Sequence, residues 1–133
     1  MRYLLDTNTW IHYLKRVGSP VEARLRQTPV AEVAVCSVVW AELLHGAQKY
    51  EQREERVARI ERTLVPFRSL PFDDAASRRY AEIRDELETR GEVIGPNDLL
   101  IAAITLTHDL ILVTNNREFS RVTGLTIEDW TVP

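Results

Sequence analysis

The sequence predicts an α/β fold with a mainly parallel central sheet of about five strands. Short β-rich apolar runs recur along it: YLL (3–5), VAVC (33–36), VPFRSLPF (65–72), LILVT (110–114) and LTI (125–127). Between them lie stretches whose apolar residues return at helical spacing. Strands that alternate with helices pair in parallel through right-handed crossovers. The chain has 133 residues, the size of one domain spanning 1–133. No internal repeat, low-complexity tract or long linker divides it.

Each helix follows from its own residues. TNTWIHYLKR (7–16) reads as a short helix. SVVWAELLHGAQKY (37–50) reads as a helix with Ser37 as its cap. EQREERVARIERTLV (51–65) carries Val57, Ile60 and Leu64 on one stripe and charge elsewhere. That stripe is expected to pack on the core or to form part of a dimer or partner groove. DAASRRYAEIRDELETRG (74–91) is amphipathic and stops at Gly91. PNDLLIAAITLTHD (96–109) begins with Pro96 in the first turn, where a missing N–H does no harm.

Composition narrows the function. Hydrophobic residues make up 44% and charged residues 28% of the chain, and the net charge is −3. Proteins that coat nucleic acid are usually basic, so a general coating role is disfavoured. An enzyme that holds cations in an acidic cleft is not. No apolar run has the length of a membrane span. Met1-Arg2-Tyr3 leads straight into an apparent core strand, without the order of a signal peptide, so a cytoplasmic location is expected. Cys36, the single cysteine, can form neither an internal disulfide nor a zinc cluster, and reads as a small buried hydrophobe.

Three acids stand in apolar company. Asp6 follows Tyr3-Leu4-Leu5 at the end of the first strand, Glu42 lies within SVVWAELL, and Asp98 opens LLIAAI. Structural readings exist for each. Asp6 suits a cap for the helix that starts at Thr7, Asp98 suits a helix dipole, and Glu42 suits an exposed stripe. Together they suggest more, because strand ends and helix starts meet at one edge of a parallel sheet, where ligands gather. Carboxylates that converge there raise one another's pKa values, and a divalent cation relieves the repulsion. Oxygen donors without His or Cys suit Mg²⁺ or Mn²⁺, in one or two ions. His12, His45 and His108 lack metal-ligand spacing and read as surface or helix-end residues.

The run LVTNNREFSR (112–121) adds polar groups at the same edge. Thr114, Asn115 and Asn116 follow an apolar strand and suit either a turn or the site. Asn8, Ser37, Thr114 and Glu118 are auxiliary candidates, and Arg117 to Arg121 is a candidate for phosphate positioning.

LLDTN (4–8), SVVWAELLHGA (37–47), GPNDLLIAA (95–103) and LVTNNREFSRVTGLTIEDW (112–130), in this order, resemble the PIN-domain family. More narrowly, they resemble the VapC-type toxin ribonucleases of bacterial type II toxin–antitoxin systems. The resemblance implies a PIN-like α/β/α sandwich and a Mg²⁺- or Mn²⁺-dependent endoribonuclease acting on structured RNA such as tRNA. It implies Asp6, Glu42 and Asp98 as the metal-site acids. The family's fourth position, often Asp, falls on Asn116, with the acidic Glu118 two residues on. Products with a 5′-phosphate, a homodimer and a VapB-like antitoxin that blocks the cleft are further implications. The rival reading is a catalytically impaired PIN-like binding module, which the amide at Asn116 supports. A dehalogenase-like phosphatase wants an acid where Asn8 stands. A receiver domain wants a lysine at the end of its last strand, and the only lysines are Lys15 and Lys49.

Overall fold

The computed structural model describes residues 1–133. Five strands make one sheet: β1 (Tyr3–Leu5), β2 (Val33–Cys36), β3 (Arg68–Leu70), β4 (Ile111–Val113) and β5 (Thr126–Glu128). Their order is β3-β2-β1-β4-β5, and every pairing is parallel. Six helices connect them: α1 (Thr7–Lys15), α2 (Pro20–Gln27), α3 (Ser37–Ala47), α4 (Arg53–Leu64), α5 (Asp74–Thr89) and α6 (Pro96–Thr107). The chain starts in the middle of the sheet, builds outward to β3, then crosses back to β4 beside β1. That reversal opens a crevice beyond the carboxyl ends of β1 and β4.

The central strands are apolar because both of their faces are covered. All residues of β1 and β2 are buried. Register places Leu4 against Ala34 on one side and Leu112 on the other. In α6 the residues Ile101 to Thr105 are buried without a break, so this helix lies inside the protein with only its ends near solvent. Ile60 and Leu64 of α4 are buried and Val57 packs against the core, so the stripe on that helix belongs mainly to the interior. No helix is long and apolar enough to cross a membrane.

The structure differs from the sequence reading at several boundaries. Helix α2 was not anticipated, although Ser19-Pro20-Val21-Glu22 carries a start signal. The Ser19 hydroxyl accepts from the Glu22 N–H at 3.2 Å, and the Glu22 carboxylate accepts from the Gly18 N–H at 3.0 Å, much as in a capping box. Ser37 is not a cap. Cys36 holds the extended cap dihedrals, and Ser37 is already helical with an exposed side chain. The run 65–72 contributes only Arg68–Leu70 to the sheet. Helix α3 stops at Ala47 rather than Tyr50, and α4 starts at Arg53. Gly91 does terminate α5, at φ +69°, and the following N–H of Glu92 bonds the Leu87 carbonyl at 2.9 Å.

The closing EDW is structural. Trp130 is fully buried, edge-on to Tyr3 with ring centroids 5.0 Å apart, and the Arg24 guanidinium lies over its ring. Glu128 accepts from the Trp130 indole at 3.0 Å and from Arg24 at 3.1 Å. These contacts fasten the last strand to α2.

Candidate active site

Asp6 is the first residue beyond β1, and it does two things at once. Its Oδ1 accepts from the Thr9 N–H at 2.9 Å and so caps α1. Its Oδ2 accepts from the Thr114 hydroxyl at 2.5 Å. Thr114 is the corresponding first residue beyond β4, so parallel register brings the two together. Asp6 is buried, and burial pushes its carboxyl above the usual range, against the Thr114 and Thr9 hydrogen bonds. Two of about four lone-pair sites on the carboxylate are used.

Glu42 reaches the same edge from α3. Its Oε1 accepts from the Thr7 hydroxyl at 2.5 Å and its Oε2 from the Asn97 amide at 3.4 Å. Helices α1, α3 and α6 thus meet at one half-buried carboxylate. Asp98 lies in the first turn of α6, where Glu42, Gly95, Pro96, Asn97 and Asp98 line an open crevice of about 290 Å³. Its carboxyl is pushed up to about 6, first by burial and then by the charges of Glu42, Asp6 and Glu118. The charges of Glu42, Asp6 and Glu118 thus bear on Asp98. None of Asp6, Glu42 and Asp98 has an ion-pair partner.

The segment after β4 completes the edge. Asn116 donates from Nδ2 to Asp98 Oδ2 at 3.2 Å, while its Oδ1 accepts from the Glu118 N–H at 3.0 Å. The amide is thereby committed at both ends, to the Asp98 carboxylate and to the backbone of the turn that carries Glu118. The Asn116 N–H in turn bonds the Thr114 hydroxyl at 3.0 Å. Asn8 donates to Asn115 Oδ1 at 3.0 Å across the mouth. Ser37, at the start of α3, makes no hydrogen bond to any of the acids. The three histidines sit in the last turn or cap of α1, α3 and α6. Cys36 is buried and burial pushes its thiol up to about 11, so it is no nucleophile.

Sequence reasoning missed Thr7 and Asn97, the two donors to Glu42. Both adjoin a motif acid, but nothing in the spacing says which acid each will face. The expected convergence also needs one correction. No three Asp, Glu, His or Cys side chains come close enough to form a metal sphere by themselves. Glu42 and Asp98 line the crevice, and the charges of Asp6 and Glu118 bear on Asp98. This suits a cation that keeps several waters and takes one or two carboxylates, as Mg²⁺ does.

The PIN domain family model matches residues 3–125. Ribonuclease VapC2 of Haemophilus influenzae is 38% identical over 131 residues, covering 98% of each chain. The tRNA(fMet)-specific endonuclease VapC of Shigella flexneri is 37% identical over the same length, again with 98% of each chain covered. Among solved structures, a DNA-bound VapBC from Salmonella typhimurium superposes with a TM-score of 0.92 at 34% identity, covering 98% of both chains. With this match over nearly its whole length, the chain belongs to the PIN domain family and, within it, to the VapC ribonucleases.

Proposed function

We propose that this protein is a divalent-metal-dependent endoribonuclease that hydrolyses structured RNA, such as tRNA, as the toxin of a toxin–antitoxin pair. The observation that carries the reading is a crevice lined by Glu42 and Asp98, with the charges of Asp6 and Glu118 bearing on Asp98 and no ion-pair partner on Asp6, Glu42 or Asp98. An RNA phosphate would be repelled there unless a cation supplied the balance. Mg²⁺ or Mn²⁺, held by Asp6 and Asp98 with Glu42 beside them, would supply a water of lowered pKa and charge stabilisation for the phosphoryl oxygens.

The chain's own residues have separable roles. Asp6 is fixed by Thr9 and Thr114, so its free lone pairs point from a rigid base. Glu42 is held at both oxygens by Thr7 and Asn97, which suits it to orient an attacking water or to accept its proton. Asn116 would serve as an orienting amide at Asp98, and Glu118 as the fourth carboxylate, since its charge bears on Asp98 together with those of Glu42 and Asp6. On this reading the amide at 116 does not leave the site one acid short, which counts against the rival reading of an impaired module. Arg117, exposed and free of ion pairs, can contact an RNA phosphate at the rim.

The partner reading rests on a groove of about 260 Å³ between α1, α3 and α4, which abuts Glu42. Its floor includes Ile11, Leu14, Leu43 and Ile60, and Lys15 and Lys49 stand at its rim. An amphipathic helix of a VapB-like antitoxin fits such a surface and would end at the acids. The structural relatives include VapBC complexes from Rickettsia felis and Salmonella typhimurium. A homodimer in the cytoplasm is part of the same proposal.

The test is Asp6→Asn. Asparagine caps a helix as well as aspartate does and keeps the bond from the Thr9 N–H, so the fold should persist. Cleavage of RNA should vanish, and the wild-type products should carry 5′-phosphates. Normal cleavage by Asp6→Asn, or cyclic-phosphate ends, would refute the mechanism.

A further inference from the structure

We infer that Arg121 is a positioning residue that sets Glu118 and Asp98 relative to each other, rather than a contact for RNA. The inference rests on the metal-site reading above. It comes from one side-chain nitrogen. Arg121 Nη1 donates to the Val93 carbonyl at 2.6 Å and lies 3.5 Å from Glu118 Oε2. Those two groups belong to different segments, and each segment delivers one acid to the crevice.

The first segment is the loop from Gly91 to Gly95, which leads into α6. Its start is pinned where Glu92 bonds the Leu87 carbonyl, and Ile94 packs on the core. Val93 between them has an exposed side chain, so Arg121 provides the anchor at that point. Two residues later the backbone passes close over Asp98: a Cβ on Gly95 would lie 3.3 Å from Asp98 Oδ2. The position of this loop therefore limits the room around that carboxylate.

The second segment is the short 3-10 turn Arg117–Arg121. It starts at Asn116, which bonds both Asp98 and the Glu118 N–H. Arg121 ends it, and its carbonyl accepts from the Arg90 guanidinium, which is itself held by Glu86 at 2.9 Å and Thr123 at 3.1 Å. Arg121 is thus fastened through its backbone to α5 and through its side chain to the loop. Its charge also opposes that of Glu118, which would otherwise add unbalanced repulsion to Asp98. Residues that orient metal-binding side chains change affinity by roughly 10-fold to 100-fold when removed.

The experiment measures Mn²⁺ binding to RNA-free protein by electron paramagnetic resonance, for wild type, Arg121→Ala, Arg121→Lys and Asp98→Asn. Cleavage kinetics at saturating Mn²⁺ accompany it. Arg121→Ala should weaken Mn²⁺ binding roughly 10-fold or more, with the RNA KM at saturating Mn²⁺ close to wild type. Arg121→Lys, which keeps a donor and a charge, should recover most of the affinity. Wild-type Mn²⁺ affinity in Arg121→Ala with a raised RNA KM would overturn the inference and make Arg121 a phosphate contact. If Arg121→Ala does not fold, Arg121→Met, which keeps the stem but neither donor nor charge, takes its place, and wild-type Mn²⁺ affinity in that variant would overturn the inference. Equal Mn²⁺ binding by wild type and Asp98→Asn would defeat the metal-site reading itself, and is thereby told apart from failure at Arg121.

Discussion

The hydroxyl of Thr114 donates a 2.5 Å hydrogen bond to Asp6 Oδ2, joining the residue that follows β4 to the residue that follows β1. Both groups are buried. This bond is the point at which the sheet's central pairing becomes the floor of the site. It holds a carboxylate whose burial disfavours its charge.

Thr114→Val keeps the shape and removes the donor. A buried acceptor that loses its partner costs about 1–3 kcal/mol, so urea denaturation should shift by that amount in metal-free protein. The Asp6 carboxyl should rise further, and Mn²⁺ should bind less tightly. Unchanged stability together with unchanged Mn²⁺ affinity would show that the bond matters neither to the fold nor to the site.

Asp98 gives a pH-dependent prediction. Its carboxyl is raised to about 6, above the ordinary value of 3.8. A raised carboxyl lets the folded state keep a proton that the unfolded chain has released. Its stabilising effect is full below pH about 4 and is lost as pH rises through about 6. Asp98→Asn should therefore melt later than wild type in EDTA at pH 8, and at the same temperature near pH 4. Because the group is only half-buried, solvent screening limits the gain to about 1 kcal/mol, or roughly 3–5 °C. Calorimetry at the two pH values checks the sign. An equal gain at both would assign the effect to packing rather than to charge.

Gly95→Ala tests how closely the α6 entry follows Asp98. The glycine has φ −55°, open to any residue, so the backbone tolerates alanine. The added methyl would meet Asp98 Oδ2 at 3.3 Å. Mn²⁺ affinity should fall roughly 10-fold, while the melting temperature changes by no more than the loss of a glycine cap allows. Wild-type affinity would mean that Asp98 gives way freely.

Much of this was legible beforehand, for identifiable reasons. The strand YLL and the apolar helix after Pro96 announce burial directly, because neither has a polar face to offer solvent. Asp6, Glu42 and Asp98 stood out because each interrupts such a run. What stayed hidden was pairing. Thr7 and Asn97 meet at Glu42 only through the packing of α1, α3 and α6, and Arg121 reaches Val93 across 28 residues of chain. Helix α2 was missed because Arg, Glu and Gln dominate it and bury only Val21. Ser37 looked like a cap because helices begin at serine often. Here the extended residue is Cys36, one position earlier.

On the proposed function, the acids around Asp98 hold a cation that lets this protein cut RNA. This is tested most directly by incubating purified, antitoxin-free protein with total tRNA under three conditions: with Mg²⁺ or Mn²⁺, with EDTA, and with Asp98→Asn in place of wild type. Discrete fragments should form with metal and disappear both with EDTA and with the substitution. Fragments that persist in EDTA, or an Asp98→Asn protein that cuts as wild type does, would contradict it.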